Sequence, residues 1–232
     1  MSAVIESTPF QSAEQHVYLY LRQRILSGEL PGGTPINPIE VAAKLSLSRM
    51  PVREALRQLD AEGLVTIMPN RRAVVTRLTA AEVEEIFEIR AVLEGLAIRF
   101  AVPNFDDVTL TELKVLNEFL EKAKLDPRSW VQRHAEFHDF IVEVSGRQHL
   151  RKQIRRIHNA VQPYLLMYIS VYQHTEMIGY EHDNIISLIR SGDPEAAETY
   201  MINHVRSASK GVIEFVTRRE ECENLPGSGA KK

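Results

Sequence analysis

The sequence is poor in cysteine and has no long apolar run. Cys222 is the single cysteine among 232 residues, which excludes an intrachain disulfide framework and a thiolate-rich metal site. No apolar segment approaches the roughly 18 to 20 residues that span a bilayer, and residues 1–11 lack the charged start and apolar stretch of a signal peptide. We therefore expect a cytoplasmic protein with no membrane partner.

Charge of one sign is not in large excess, but its distribution is uneven. The net charge is −3. Residues 13–79 hold nine basic and six acidic side chains, whereas residues 80–232 hold nineteen and twenty-four. A basic N-terminal part suits a polyanion such as DNA, although so small an excess carries little weight by itself.

Residues 40–65 have the pattern of a helix-turn-helix, with two short amphipathic segments separated by residues 46–48. Ser48 is placed to cap the second helix, Pro51 is tolerated in its first turn, and Gly63 marks its end. The apolar positions are Val41, Ala42 and Leu45 in the first helix and Val52, Ala55, Leu56 and Leu59 in the second.

The second helix has a basic outward face formed by Arg49, Arg53 and Arg57, which recur every four residues. Any surface helix can carry such a face, so the arginines alone do not establish DNA binding. Residues 64–67 and 73–76 favour it, because they have strand patterns around a basic turn. A hairpin after a helix-turn-helix is typical of a winged module, whose wing contacts the phosphate backbone or the minor groove.

The remaining chain predicts helices. One helix is expected from Ser12 to Gly28, and residues 29–38 are expected to form only a connecting turn. Thr79 and Glu82 have capping-box spacing, and from there the composition changes. Six helices then follow with short connections, at 82–101, 110–125, 129–145, 149–168, 175–191 and 195–221.

These segments predict a mainly α protein, with an N-terminal winged helix-turn-helix and a C-terminal antiparallel six-helix bundle. The expected divisions are a flexible arm at 1–11, the DNA-binding domain at 12–78, a helical effector-binding and dimerisation domain at 79–222, and a disordered tail at 223–232.

The motif residues resemble a known family, the GntR-type bacterial transcription regulators of the FadR subfamily, whose sensor is the helical FCD domain. Residues 47–56 read Leu-Ser-Arg-Met-Pro-Val-Arg-Glu-Ala-Leu, similar to the family's Val-Ser-Arg-x-Pro-Val-Arg-Glu-Ala-Leu, and residues 59–65 match its Leu-x-x-x-Gly-Leu-Val. Residues 89–97 resemble the Arg-x-x-Leu-Glu-x-x-Ala segment that begins the sensor. The resemblance covers roughly residues 13–220.

The resemblance implies a homodimer on an inverted-repeat operator. The geometry of DNA recognition also favours a dimer, because one recognition helix reads only a few base pairs. The resemblance also implies that Ser48, Arg49 and Arg53 contact operator DNA, and either arginine can donate bidentately to guanine. Phosphate contacts are expected from Arg57, Arg71 and Arg72. Two positions depart from the family: Ile39 replaces a basic residue, and Arg72 replaces the wing-tip glycine, which predicts a different turn.

Four histidines form a candidate metal site. His134 and His138 lie four residues apart, hence on one helix face, while His182 and His204 lie on later helices. From the number of histidines alone, the better interpretation is that the four have unrelated roles. The resemblance reverses this, because the family's sensor binds a divalent metal through Asp-x-x-x-His and two later histidines, with His134 here in the place of the aspartate.

An all-imidazole set favours Zn²⁺ or Ni²⁺, and it leaves the charge of the ion uncompensated. We therefore expect a small organic acid as effector beside the metal, with Arg90 as a second carboxylate contact or, alternatively, as a structural ion-pair partner.

Two other functions are alternatives for this sequence. A metal-dependent enzyme is disfavoured because Glu136 stands two residues after His134, not directly after it as His-Glu-x-x-His requires, and no nucleophile pair or phosphate loop is present. A dimeric DNA-binding protein without an effector is the other. The remaining histidines, His16, His149, His158 and His174, are expected at the surface, and Trp130 with Tyr164, Tyr168 and Tyr172 in core packing.

Overall fold

The computed structural model describes residues 12–69, 72–172 and 180–224. The chain divides between Arg77 and Leu78 into two compact units, one residue before the boundary expected from the sequence. Each unit has an apolar core of its own. No helix among the described residues is long and apolar enough to cross a membrane.

The first unit is a winged helix-turn-helix. In order, it contains α1 (Ala13–Leu26), β1 (Pro35–Ile36), α2 (Pro38–Lys44), α3 (Arg49–Ala61), β2 (Val65–Ile67) and β3 (Ala73–Val75). The apolar stripe predicted for α3 is confirmed, because Val52, Ala55, Leu56 and Leu59 are all buried. They pack with Val17, Leu21 and Ile25 of α1 in one core. As predicted, Gly63 follows the end of α3, where its φ of 77° suits glycine.

The expectation that residues 29–38 form only a connecting turn is wrong at β1. Pro35 pairs with Val74 and Ile36 with Ala73, which gives an antiparallel sheet in the order β1-β3-β2. Proline lacks an N–H, but it is tolerated on an edge strand. A strand of two residues is too short to show an alternating pattern.

Ser48 stands at the N-cap of α3 as predicted, but its side chain makes no capping hydrogen bond. The N-cap side chain usually accepts from the N–H of the second or third helical residue. Here the third residue is Pro51, which has no N–H. Ser48 is exposed, and its hydroxyl has no capping role.

The wing is tied to α3 by a side chain. Asp60 Oδ1 accepts a hydrogen bond from the Ile67 backbone N–H at 2.9 Å, which places β2 against the end of the helix. β2 and β3 pair from Val65↔Val75 to Ile67↔Ala73. The predicted phosphate contact Arg71, at the tip, lies outside the described residues.

The second unit is helical throughout its described part. It contains α4 (Ala80–Ala101), a 3-10 turn (Val102–Asn104), α5 (Asp107–Lys122), α6 (Pro127–Val144), α7 (Gln148–Tyr172), α8 (Tyr180–Ser191) and α9 (Pro194–Asn224). The mainly α class with its winged module is thereby confirmed, while the antiparallel six-helix arrangement stays a prediction. The capping box of Thr79 and Glu82 is present at the start of α4.

Five helices of this unit, α4 to α7 and α9, begin one to three residues before their predicted starts, and the predicted start of α8 at residue 175 lies outside the described residues. Two of the earlier starts have a local cause. α5 begins at Asp107, not Leu110, because Asp106 and Thr109 form a second capping box. α6 begins at Pro127, since Asp126 accepts hydrogen bonds from the next turn as its N-cap. Proline at the first helical position needs no partner for an N–H, so the Asp-Pro pair starts a helix here.

Candidate DNA-reading face and metal centre

The basic face predicted on α3 is exposed. Arg49, Arg53 and Arg57 all lie at the surface. Arg57 is paired with Glu54 at 2.8 Å. No hydrogen bond or ion pair engages Arg49 or Arg53 within residues 12–69 and the other described segments. Their guanidinium groups therefore have all donors available for a base edge or a phosphate.

The other predicted DNA contacts differ in their surroundings. Ser48 is exposed next to Arg49, and Arg72 is exposed at the wing. Ile39 is 53% exposed at the start of α2, and Met50, which sequence reasoning did not single out, is 66% exposed on α3. These exposed apolar side chains can pack on a thymine methyl group, but they cannot donate a hydrogen bond to a phosphate. The DNA-binding residues stay predictions.

The four candidate histidines are brought together by three helices. His134 and His138 lie on α6, His182 on α8 and His204 on α9. All four are at most 5% exposed. One ligand nitrogen of each lies within 4.8 Å of the ligand nitrogens of the others. The rings of His138 and His204 are parallel to within 16°, with centroids 5.3 Å apart.

These residues fit a divalent ion. Imidazole binds zinc at about 2.0–2.1 Å, so four nitrogens around one ion stand roughly 3–4 Å apart, and small side-chain rotations would bring the observed nitrogens, all within 4.8 Å of one another, to that spacing. Burial lowers the pKa of His134 well below its usual range and the pKa of His138 to about 4. Both imidazoles are therefore neutral near pH 7, as ligands must be. His138 Nε2 is buried and has no hydrogen-bond partner among the described residues.

Arg90 forms a buried ion pair with Glu94, one turn further along α4. This is the structural alternative that the sequence left open for Arg90. Its guanidinium also lies 5.5 Å from the ring centre of Phe87. Glu94 engages the Nε–H of Arg90, so a carboxylate effector that reaches Arg90 would use the remaining N–H donors of its guanidinium.

Glu94 connects the ion pair to the histidines. Its Oε2 lies 2.8 Å from His138 Nδ1, and its Oε1 lies 2.6 Å from His158 Nε2. Burial raises the pKa of Glu94, but Arg90, His158 and His138 outweigh it and hold the pKa well below the usual range. Glu94 is therefore ionised at neutral pH.

The expectation that His158 lies at the surface is wrong. It is buried at 8% exposure, between Glu94 and Asp139. Burial lowers the pKa of its imidazole, but the Glu94 carboxylate and Asp139 together raise it above 6.5. His149 is exposed as expected, His16 is half-buried, and His174 lies outside the described residues.

Carboxylates lie against two of the candidate ligands, but the ligand set itself contains no carboxylate, so the expectation that the protein leaves the charge of a bound ion uncompensated stays a prediction. Glu94 touches His138, and Glu181 Oε2 lies 2.5 Å from His204 Nδ1. Two carboxylates thus contact two of the four candidate ligands. Glu94 had a local signal in the sequence, since Arg90 precedes it by one helical turn. The contacts of Glu94 with His138 on α6 and His158 on α7 had no such signal in the sequence.

Trp130 packs on the same cluster. Its ring is fully buried and stacks on His134 with centroids 4.8 Å apart. The prediction of core packing is confirmed for Trp130 and Tyr164. Tyr168 is partly buried against the core, and the Tyr172 side chain lies outside the described residues.

Comparisons with known proteins divide the chain at the same place. Residues 13–75 match the family model "Bacterial regulatory proteins, gntR family", and residues 85–207 match the FCD domain. The second match contains Arg90, Glu94 and all four histidines.

Curated relatives cover most of the chain. An uncharacterized HTH-type transcriptional regulator of Bacillus subtilis, YdhC, is 28% identical over 190 residues, 81% of this chain and 85% of that one. The HTH-type transcriptional repressor RspR of Escherichia coli is 26% identical over 216 residues, 91% and 94% of the two chains. The solved structure of E. coli McbR/YncC has a TM-score of 0.76 at 22% identity and covers 91% of this chain and all of that one, which shows a shared fold.

Proposed function

The chain belongs to the gntR family of bacterial regulatory proteins and carries an FCD domain, and from this premise we propose that it is a metal-assisted sensor of a small organic acid that binds operator DNA as a homodimer. Like its relatives and the members of its family, it is a transcription regulator and not an enzyme. The buried cluster of four histidines is the observation that carries the sensor proposal.

In the proposed complex, α3 lies in the major groove. Arg49 and Arg53 read bases, because their donors have no partner within the described chain. Ser48, which is exposed and makes no capping bond, contacts a phosphate or a base edge. Phosphate contacts come from Arg57, which is already held by Glu54, and from the wing residues Arg71 and Arg72.

In the proposed sensor, His134, His138, His182 and His204 hold Zn²⁺ or Ni²⁺, as nitrogen ligation favours. The bound ion would supply a position for the effector carboxylate. Arg90 would reach the effector with the N–H donors that Glu94 does not engage. Effector binding changes the placement of the two helix-turn-helix units of the dimer and hence the fit to the operator half-sites. By similarity to the repressor RspR, we infer that the protein represses transcription.

The engagement of Arg90 favours a second candidate, a dimeric DNA-binding protein without an effector. Calorimetric titration of the full chain with Zn²⁺ or Ni²⁺, and then with a panel of small carboxylates, separates the two. The sensor proposal predicts metal binding followed by saturable carboxylate binding. If neither titration releases or absorbs heat, the second candidate function is supported.

A matched pair of variants sharpens this titration. His182→Gln removes one proposed ligand, whereas His149→Gln changes an exposed histidine of the same protein. We expect metal affinity to fall for the first variant and to stay at the wild-type value for the second. Equal affinities for the two variants would contradict the proposed ligand set.

A further inference from the structure

We propose that Glu94 is a positioning residue that fixes the tautomer of His138, so that His138 binds the ion through Nε2. This proposal rests on the proposed metal site. It goes beyond it because it assigns a role to a buried carboxylate that is not among the four clustered ligands.

The contact between Glu94 and His138 involves two atoms that have no other partner. His138 Nδ1 and Glu94 Oε2 are both buried, and neither makes a hydrogen bond of good geometry within the described chain. They lie 2.8 Å apart. A buried donor or acceptor left unsatisfied is costly, and a carboxylate can only accept. A proton on Nδ1 therefore satisfies both atoms after a small rotation.

The tautomer then decides which nitrogen can bind a metal. With the proton on Nδ1, His138 Nε2 keeps its lone pair, and Nε2 is also buried without a hydrogen-bond partner among the described residues. A carboxylate behind a ligating imidazole also increases the basicity of the ligand. His204 has the same arrangement, with Glu181 at its Nδ1.

The other side of Glu94 keeps the carboxylate in place. Arg90 Nε and His158 Nε2 both contact Oε1, so this oxygen is held from two helices and Oε2 is left for His138. Arg90 is donor-only. Because the two carboxylate oxygens of Glu94 have different partners, the orientation of the amide in a Glu94→Gln variant can be predicted.

In Glu94→Gln, the amide oxygen must face Arg90, and the amide nitrogen must face His138 Nδ1. The amide then donates to Nδ1, which forces the proton of His138 onto Nε2. We expect two results: the tautomer of His138 reverses, and metal affinity falls roughly 10- to 100-fold, as is typical when a carboxylate partner of a metal ligand is lost. Glu88→Gln is the control, since Glu88 pairs with Arg206 at the surface of the same helix.

The first measurement needs no variant of Glu94. Long-range proton–nitrogen correlation spectra of the metal-free full chain report which nitrogen of each histidine carries the proton, and the signals of His138 are assigned by their loss in His138→Gln. A proton on Nδ1 supports the proposal. A proton on Nε2 overturns it.

The second measurement is Zn²⁺ and Ni²⁺ affinity by competition with a chromophoric chelator. A loss of affinity in Glu94→Gln but not in Glu88→Gln, together with the reversed tautomer, supports the positioning role. Equal affinities overturn it while leaving the metal site intact. If the wild-type chain takes up neither ion, the metal part of the proposed function fails, and the tautomer spectra alone decide the role of Glu94.

Discussion

Replacing Arg90 by Met tests the buried ion pair at the centre of the helical unit. The side chains of Arg90 and Glu94 are 5% and 1% exposed. Removing one partner of a buried pair costs about 3–5 kcal/mol, because the remaining charge has lost its counter-ion. Glu94 keeps its contacts with His138 and His158, so we expect Arg90→Met to lower the free energy of unfolding by about 3 kcal/mol, the low end of that range.

The matched control is Arg99→Met, which lies on the same helix. Arg99 pairs with Glu198 at 3.2 Å, but its side chain is 48% exposed. Exposed pairs contribute roughly 0–1 kcal/mol, so this variant should unfold close to the wild type. The assay is chemical denaturation of the metal-free protein near neutral pH, followed by circular dichroism.

A double substitution separates the lost charge pair from lost packing. Adding Glu94→Gln to Arg90→Met removes the unpaired charge, so part of the lost stability should return. If Arg90→Met costs no more stability than Arg99→Met, the buried pair contributes no more than an exposed one, which would contradict this prediction.

Three further predictions concern the DNA-reading face, the histidines and the packing of α4. Arg53→Ala should reduce discrimination between operator and unrelated DNA by about 1–3 kcal/mol in fluorescence anisotropy, whereas Arg57→Ala should weaken binding to both alike; the reverse order would contradict the assigned roles. Burial lowers the pKa of His138 from 6.5 to about 4, so between these pH values the unfolded chain binds more protons at His138 than the folded chain does. As the pH falls from 6.5 to 4, His138 should therefore lower the free energy of unfolding of the metal-free protein by about 3 kcal/mol. In urea denaturation, a wild-type loss over this window no larger than that of His138→Gln would argue against it. A Cβ at Gly95 would lie 2.6 Å from Ile202 Cγ1, so Gly95→Ala should destabilise the protein by about 1–3 kcal/mol, and an unchanged thermal midpoint would show that the space exists.

Local patterns in the sequence predicted the helix-turn-helix well. The apolar spacing of α3 defines its buried face, because a helix repeats every 3.6 residues. The start of α5 was missed, since the cap formed by Asp106 precedes the first apolar residue of the pattern. β1 was missed because Pro35–Ile36 is defined by its partner β3 and has no periodicity of its own.

The candidate metal centre was predictable only in part. His134 and His138 share a helix face through their spacing alone, whereas His182 and His204 required the family resemblance. His158 was misassigned because its burial depends on contacts with Glu94 and Asp139 from other helices. Such contacts between helices have no signature in a single sequence.

In the proposed mechanism, metal and a small carboxylate together control DNA binding. Operator fragments are first selected from genomic DNA by the full chain itself, and their affinity is then measured with and without Zn²⁺ or Ni²⁺ across a panel of small carboxylates. We expect at least one carboxylate to change operator affinity by about 5- to 150-fold when the metal is present, as is typical of coupled sites, and we expect the change to disappear after chelation. An operator affinity that no carboxylate alters, with or without metal, would contradict the proposed mechanism.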